Sequence, residues 1–238
     1  MAAEKGTIII SGASSGIGLA CSRKFLQEGF EVVGLARDFA KSGLEHPEFR
    51  VFSADYSQPQ QLSEKLPAIL ESIEGPIRAV VNNAGVGKMG HLEQLSLSDI
   101  QTSINTNFLS HAVLTKAVLP RLKTRNSLAD IIFMGSEAAL KGSQQGSAYC
   151  ASKFALRGFA QSLREECASS SVRVSLINPG AVRTDFFSEL HYEPGAESEN
   201  AIEPEEVANL VFNILHMRAG TVVDEINLTP QKRVWQKK

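Results

Sequence analysis

The sequence predicts an α/β fold: a single doubly wound domain over residues 1–238, with a mainly parallel seven-stranded sheet and helices on both faces. Three observations carry this expectation. Short β-branched or apolar runs alternate with longer segments whose apolar residues recur at helical spacing. No linker-like break or internal repeat interrupts the alternation, which argues for one domain rather than two. A glycine-rich turn stands directly after the first strand-like run and before the first helical pattern.

Thr7 to Ser11 is β-branched and reads as the first strand. The turn Gly12-Ala13-Ser14-Ser15-Gly16-Ile17-Gly18 follows, then a helical pattern through Leu19, Ala20, Phe25 and Leu26 that stops at Gly29. Each glycine can be given a physical reason. Gly12 permits the tight turn, Gly16 the approach of backbone N–H groups to a pyrophosphate, and Gly18 close helix–strand packing. A plain strand–helix turn is the competing reading.

Glu31 to Ala36 and Phe49 to Ser53 read as the second and third strands, with Asp55 just beyond the latter and loop or a short helix from Lys41 to Pro47. Pro59 to Ile73 is helical by Leu62, Leu66, Ile69 and Leu70, with a bend expected at Pro67. Ile77 to Val81 is the fourth strand and runs into Asn82-Asn83-Ala84-Gly85. Ser98 to Arg121 reads as one long helix, capped by Ser96 or Ser98 and ended by Pro120.

Asp130 to Met134 is the fifth strand, followed by Gly135-Ser136. The helix that carries Tyr149 extends to about Cys167. Arg173 to Ile177 is the sixth strand, with Asn178-Pro179-Gly180 after it. Phe186 to Glu203 lacks periodicity and is expected to form a lid. Glu205 to Met217 is the last helix and Glu225 to Leu228 a final strand. The basic tail Gln231 to Lys238 is expected to be loose, with Trp235 pinning it to the surface.

The composition is that of ordinary globular material: 43% hydrophobic and 21% charged residues over 238 positions, enough for an ample core. A net charge of −2 gives no reason to expect nucleic acid or an anionic membrane as partner. Three cysteines, an odd number in helical-looking segments, fit reduced thiols. The N-terminal apolar run is too short for a signal peptide, and no run approaches the ~20 apolar residues of a membrane span. A soluble cytoplasmic protein is the expectation. Five histidines without ligand-like spacing suggest no metal site.

Tyr149 and Lys153 stand four apart at the start of a helical pattern, so a phenol and an ammonium share one face. A nearby cation favours the ionised phenol and brings it closer to acid–base work. A surface lysine beside a half-buried tyrosine is the bland alternative. In doubly wound sheets, however, ligands bind beyond the carboxyl ends of strands. The Gly turn, Asp55, Asn83, Ser136 and Asn178-Pro179-Gly180 all fall there.

Taken together, Gly12, Gly16 and Gly18, Asn82-Asn83-Ala84-Gly85, Asn107, Ser136, Tyr149-x-x-x-Lys153 and Pro179-Gly180 resemble the motifs of the short-chain dehydrogenase/reductase family, in order and over nearly the whole chain. Ser11 stands where the family usually has Thr, and keeps the hydroxyl. The resemblance implies a Rossmann-like fold and hydride transfer between a nicotinamide and an alcohol or carbonyl. Tyr149 would be the acid in reduction and the base in oxidation. Lys153 would lower its pKa and hold the nicotinamide ribose, and Ser136 would hydrogen-bond the reacting oxygen. Asn107 would hold a water linking Lys153 to solvent. Asn105 competes for that role, but Asn107 fits the family register. Glu137, where small or apolar residues are common, is expected to point to solvent; the alternative is that it lends the pocket negative charge.

The resemblance also implies the cofactor contacts. The turn residues Ser14, Ser15 and Ile17 would join the three glycines around the phosphates. Asp55 would hold the adenine amino group. Asn83, with Ala84 and Gly85, would pack near the adenine ribose. Val182 and Thr184, after Pro179 and Gly180, would meet the carboxamide and phosphates. At the end of the second strand, Ala36 replaces the acidic residue that would favour NAD, and Arg37 is suited to a 2′-phosphate. NADP(H) is therefore expected over NAD(H).

The segment from Val223 to Pro230 is similar to that of members oxidising 3-hydroxy acids and β-hydroxy amino acids. A homodimer or homotetramer is expected by analogy. The competing function is a catalytically silent nucleotide sensor or scaffold; such relatives typically lose the Tyr or the Lys, and both are present here.

Overall fold

In the computed structural model, which describes residues 5–124 and 127–238, the chain builds a seven-stranded parallel sheet. Its strands are β1 (Thr7–Ser11), β2 (Glu31–Ala36), β3 (Phe49–Ser53), β4 (Ile77–Asn82), β5 (Ala129–Met134), β6 (Val172–Pro179) and β8 (Glu225–Leu228). They lie in the order β3-β2-β1-β4-β5-β6-β8. Ile8, Ile9 and Ile10 of β1 are fully buried, as befits a strand covered on both faces.

Helices α1 (Gly16–Gln27) and α6 (Pro204–Leu215) cover one face, where Phe25, Leu26, Val207 and Val211 join one core. Helices α2 (Pro59–Glu71), α4 (Ser110–Thr124) and α5 (Ser147–Cys167) cover the other through Leu62, Leu66, Leu114, Val118, Leu156 and Leu163. The chain runs outward from β1 through β2 to β3, then returns to β4 on the other side of β1. A crevice therefore opens at the carboxyl ends of β1 and β4.

Two expectations need correction. The long helix is interrupted: α3 (Leu97–Ile104), capped by Ser96, leads into a π turn (Asn105–Leu109) before α4. The cause is the Asn107 side chain. Its Oδ1 accepts from Val86 N at 2.8 Å and its Nδ2 donates to Val86 O at 3.0 Å, pulling one residue out of the helical register. The helix also continues past Pro120 to Thr124.

The tail, in turn, is not loose. β9 (Trp235–Lys237) pairs antiparallel with β7 (Tyr192–Pro194) inside the segment expected to be aperiodic. Trp235 packs on Phe187 and Tyr192, with ring centroids 5.7 and 5.3 Å apart. Residues 41–47 form turns rather than a helix.

A buried ion pair fixes the far side of the sheet. Asp130 on β5 accepts from Arg173 Nε at 2.8 Å and Nη2 at 2.9 Å, and also from Arg78. Asp130→Ala leaves both guanidinium groups without their carboxylate and should cost about 3–5 kcal/mol, read as a lowered urea midpoint.

Candidate active site

The Ser11 side chain holds the two halves of the crevice together. Its Oγ accepts from Asn83 N at 2.8 Å and Ala84 N at 3.0 Å, while Asn83 Nδ2 donates back to Ser11 O at 3.0 Å. The glycine turn packs against this junction. A Cβ on Gly18 would lie 2.1 Å from the Gly12 carbonyl oxygen, so no other residue fits there. Gly16 is left-handed at φ +50°, and a Cβ on it would press against the Thr184 methyl at 2.9 Å.

Ser15, beside Ser14 and Ile17, precedes α1 without capping its first N–H groups through its side chain. A glycine cradle against an uncapped helix start fits a pyrophosphate. Arg37 is exposed just beyond β2, and the neighbouring Asp38 carboxylate accepts from Ala40 N at 2.9 Å. Asp55 accepts from the N–H and hydroxyl of Ser57 at 2.9 and 2.8 Å, forming the turn after β3. Gly180, after Pro179, donates to Leu228 O at 2.8 Å; Val182 is buried and Thr184 faces the glycine turn.

Across the crevice, the carboxyl end of β5 meets α5. Lys153 is 4% exposed, and its Nζ donates to Met134 O at 2.9 Å. Tyr149 is also buried, its ring centroid 5.9 Å from that nitrogen. Asn107 Nδ2 donates to Ser152 Oγ at 3.0 Å, and its Oδ1 comes within 3.4 Å of where a Gly85 Cβ would stand, Lys153 Nζ within 3.8 Å of the same point. Asn105 instead donates to Ser57 O at 3.1 Å, on the side of α2. Of the two asparagines, Asn107 is the one bonded to α5.

Ser136 follows β5 by two residues. Its N–H donates to Asn178 Oδ1 at 3.3 Å, and Asn178 is fixed in turn by Glu225 Oε1 and Asn227 Oδ1 at 2.8 and 2.9 Å. Phe186 leans over the site, its ring 5.8 Å from that of Tyr149.

Burial dominates the electrostatics. It pushes the Tyr149 phenol up to about 12, and the Ser136 hydroxyl offsets this in part by stabilising the ionised form. The lowering expected from Lys153 does not emerge: with the lysine pushed down to about 8 and the phenol up to about 12, the lysine gives up its proton before the phenol does. Burial also pushes Lys153 down to about 8, so its ammonium is only partly retained just above neutral pH. His111 is fully buried, with Nε2–H donating to Ala84 O at 2.7 Å; burial and then the Lys153 charge push it down to about 3. It serves as a neutral brace.

The Glu137 side chain stays 29% exposed, while its Oε2 is covered and lies 3.1 Å from Nη2 of Arg233 in the tail, itself 48% exposed. Sequence reasoning also passed over Asn178 as the clamp on Ser136, Ser152 as the partner of Asn107, and His111. Asn178 and Ser152 lie within recognised motifs; His111 carried no signal beyond its helical position.

Three comparisons bear on this arrangement. The short chain dehydrogenase family profile matches residues 6–194. Sepiapterin reductase of Chlorobaculum tepidum is 32% identical over 240 residues, covering 95% of this chain and 96% of that one. Human retinol dehydrogenase 8 is 36% identical over 202 residues; the match covers 80% of this chain but only 63% of the relative's length. Among solved structures, an alcohol dehydrogenase from the archaeon Thermococcus sibiricus complexed with 5-hydroxy-NADP superposes with a TM-score of 0.83 at 27% identity, over 96% of this chain and 98% of that one. A closed form of serine dehydrogenase complexed with NADP+ gives 0.80 at 25%, over 93% and 94%.

Replacing Ser11 by Ala would strip the Asn83 and Ala84 N–H groups of their acceptor. A loss of about 1–3 kcal/mol in thermal or urea unfolding is expected.

Proposed function

Because the chain belongs to the short-chain dehydrogenase family, we propose that it interconverts a secondary alcohol and a carbonyl with NADP(H), residues 1–238 working as one catalytic unit and about 186–203 as its substrate lid. The observation that carries this reading is the convergence of Tyr149, Lys153, Ser136 and Asn107 at the end of β5, across the crevice from the glycine cradle. Buried groups so arranged have little structural reason to be polar.

The bound nicotinamide would supply or accept the hydride. Tyr149 keeps its proton at neutral pH and is suited to deliver it to the oxygen of a carbonyl under reduction; in oxidation the phenolate would take the proton from the alcohol. Ser136 would donate a hydrogen bond to the same oxygen, where negative charge gathers. Lys153 would favour the phenolate as it forms and bind the ribose hydroxyls. Asn107 would order the water that returns protons to Lys153.

Arg37 supports NADP over NAD: it is exposed where a 2′-phosphate would lie, and the adjacent Asp38 carboxylate is engaged with the backbone N–H of Ala40. The remaining contacts are proposed for Gly12, Ser14, Ser15, Gly16, Ile17, Gly18, Asp55, Asn83, Ala84, Gly85, Pro179, Gly180, Val182 and Thr184. Small hydroxy acids and β-hydroxy amino acids head the substrate panel, and a homodimer or homotetramer is the proposed assembly.

Nicotinamide absorbance followed with a panel of ketones, hydroxy acids and amino-alcohols tests the proposal. Tight NADPH binding without turnover of any of them would favour the silent sensor. Tyr149→Phe should abolish turnover, by at least about 10²-fold, with cofactor affinity near normal; retention of most turnover would refute the role of the phenol. Arg37→Ala should weaken NADPH by roughly tenfold or more and leave NADH nearly unchanged in a binding titration, whereas equal loss for both would remove the basis for NADP.

A further inference from the structure

A line of polar contacts runs from α5 across β8 and β6 to the backbone of Ser136. β6 and β8 pair in parallel, with Leu176 opposite Glu225 and Asn178 opposite Asn227. Residues two apart on a strand share a face, so Glu225 and Asn227 lie on the same side as Leu176 and Asn178. That side is covered by α5, since Leu176 joins one core with Leu156 and Leu163. Asn178 Nδ2 finds two acceptors there, Glu225 Oε1 at 2.8 Å and Asn227 Oδ1 at 2.9 Å. Arg157 of α5 holds the second oxygen of Glu225, its Nε donating to Oε2 at 3.1 Å.

We propose that Glu225 is a positioning residue for catalysis: it sets the orientation of the Asn178 amide and, through it, the place of Ser136. This rests on the function proposed above. An amide has a donor end and an acceptor end of nearly equal size, whereas a carboxylate only accepts. Glu225 thus draws the NH2 end of Asn178 toward β8 and leaves Oδ1 for the Ser136 N–H at 3.3 Å. Asn227 is exposed and carries an amide of its own, which can offer either end, so it does not decide the matter.

The fit at the inner end is close. A Cβ on Gly135 would lie 2.1 Å from Asn178 Oδ1, so the amide rests directly on the backbone that leads into Ser136. With its ends exchanged, Asn178 would set an NH2 against the Ser136 N–H, and Ser136 would have to shift. Asn178 is fully buried, where an unmade hydrogen bond is costly. The outer end is looser: the Glu225 and Arg157 side chains are 19% and 33% exposed, and a pair so placed contributes little by charge alone. Glu225 acts by directing a hydrogen bond.

The test is a double-mutant cycle on single-turnover hydride transfer by the full chain, from NADPH to the ketone of the panel reduced fastest. Glu225→Gln puts an amide beside Arg157, its carbonyl to the guanidinium and its NH2 to Asn178. Transfer should slow by at least about fivefold, part of the roughly 10²-fold expected for Ser136→Ala. Glu225→Met, which offers Asn178 no acceptor, should slow it as well. In the Ser136→Ala background either substitution should change the rate by less than about twofold, because the hydroxyl it positions is gone.

A loss that persists undiminished in that background, or full rate in both single variants, overturns the proposal. The Ser136 amide provides a readout without turnover, in protein labelled with heavy nitrogen at serine. Its proton resonance, assigned by its disappearance in Ser136→Ala, should move upfield in both Glu225 variants as the bond to Asn178 weakens; an unmoved resonance overturns the link. A wild type that reduces no member of the panel would sink the proposed function, while a shifted Ser136 amide would still uphold the link from Glu225.

Discussion

The bond from the Lys153 ammonium to the Met134 carbonyl holds the site together. An ammonium excluded from water needs compensation, and the carbonyl of Met134, the last residue of β5, supplies it. That bond ties α5 to the end of β5. Tyr149 lies one turn earlier on the same helix and is placed with it. Ser152, between them, takes the hydrogen bond from Asn107 and so ties in the π turn. A single buried charge thus organises elements that are distant in sequence.

The two sides of the crevice use different physics. On the side of the glycine turn the chain offers backbone: left-handed glycines, an uncapped helix start and a serine hydroxyl bridging β1 to the segment after β4. These groups are neutral and demand close approach. On the side of α5 it offers titratable groups driven from their ordinary values by burial, the phenol upward and the ammonium downward. Burial makes each group reluctant to ionise, so small neighbouring charges have large leverage.

Much of this was legible in the sequence, and the reasons are physical. The central strands were clearest, because strands buried on both faces are largely apolar, whereas the edge strands β3 and β8 are partly exposed; each helix carried one apolar stripe. The family motifs named the residues now found at the carboxyl edge of the sheet. What escaped was determined by partners remote in sequence. The π turn arises from the Asn107 bonds to Val86, and a periodicity scan of residues 98–121 contains no trace of them. The tail strand has three residues and exists only because β7 lies beside it. Glu137 keeps part of its side chain in solvent, but the Arg233 contact opposite it could not be foreseen. The effect of Lys153 on Tyr149 was judged from their spacing, which says nothing of how far burial moves either group.

The central claim, that hydride and proton reach the substrate by separate routes at this crevice, can be tested by following atoms. Reduction of an accepted ketone with NADPH carrying deuterium at the transferable position should place that deuterium on the carbinol carbon of the product. Deuterium oxide with unlabelled cofactor should leave the carbon unlabelled and mark only the exchangeable hydroxyl. Carbon-bound label drawn from solvent, or product formed without transfer from the cofactor, would contradict the account.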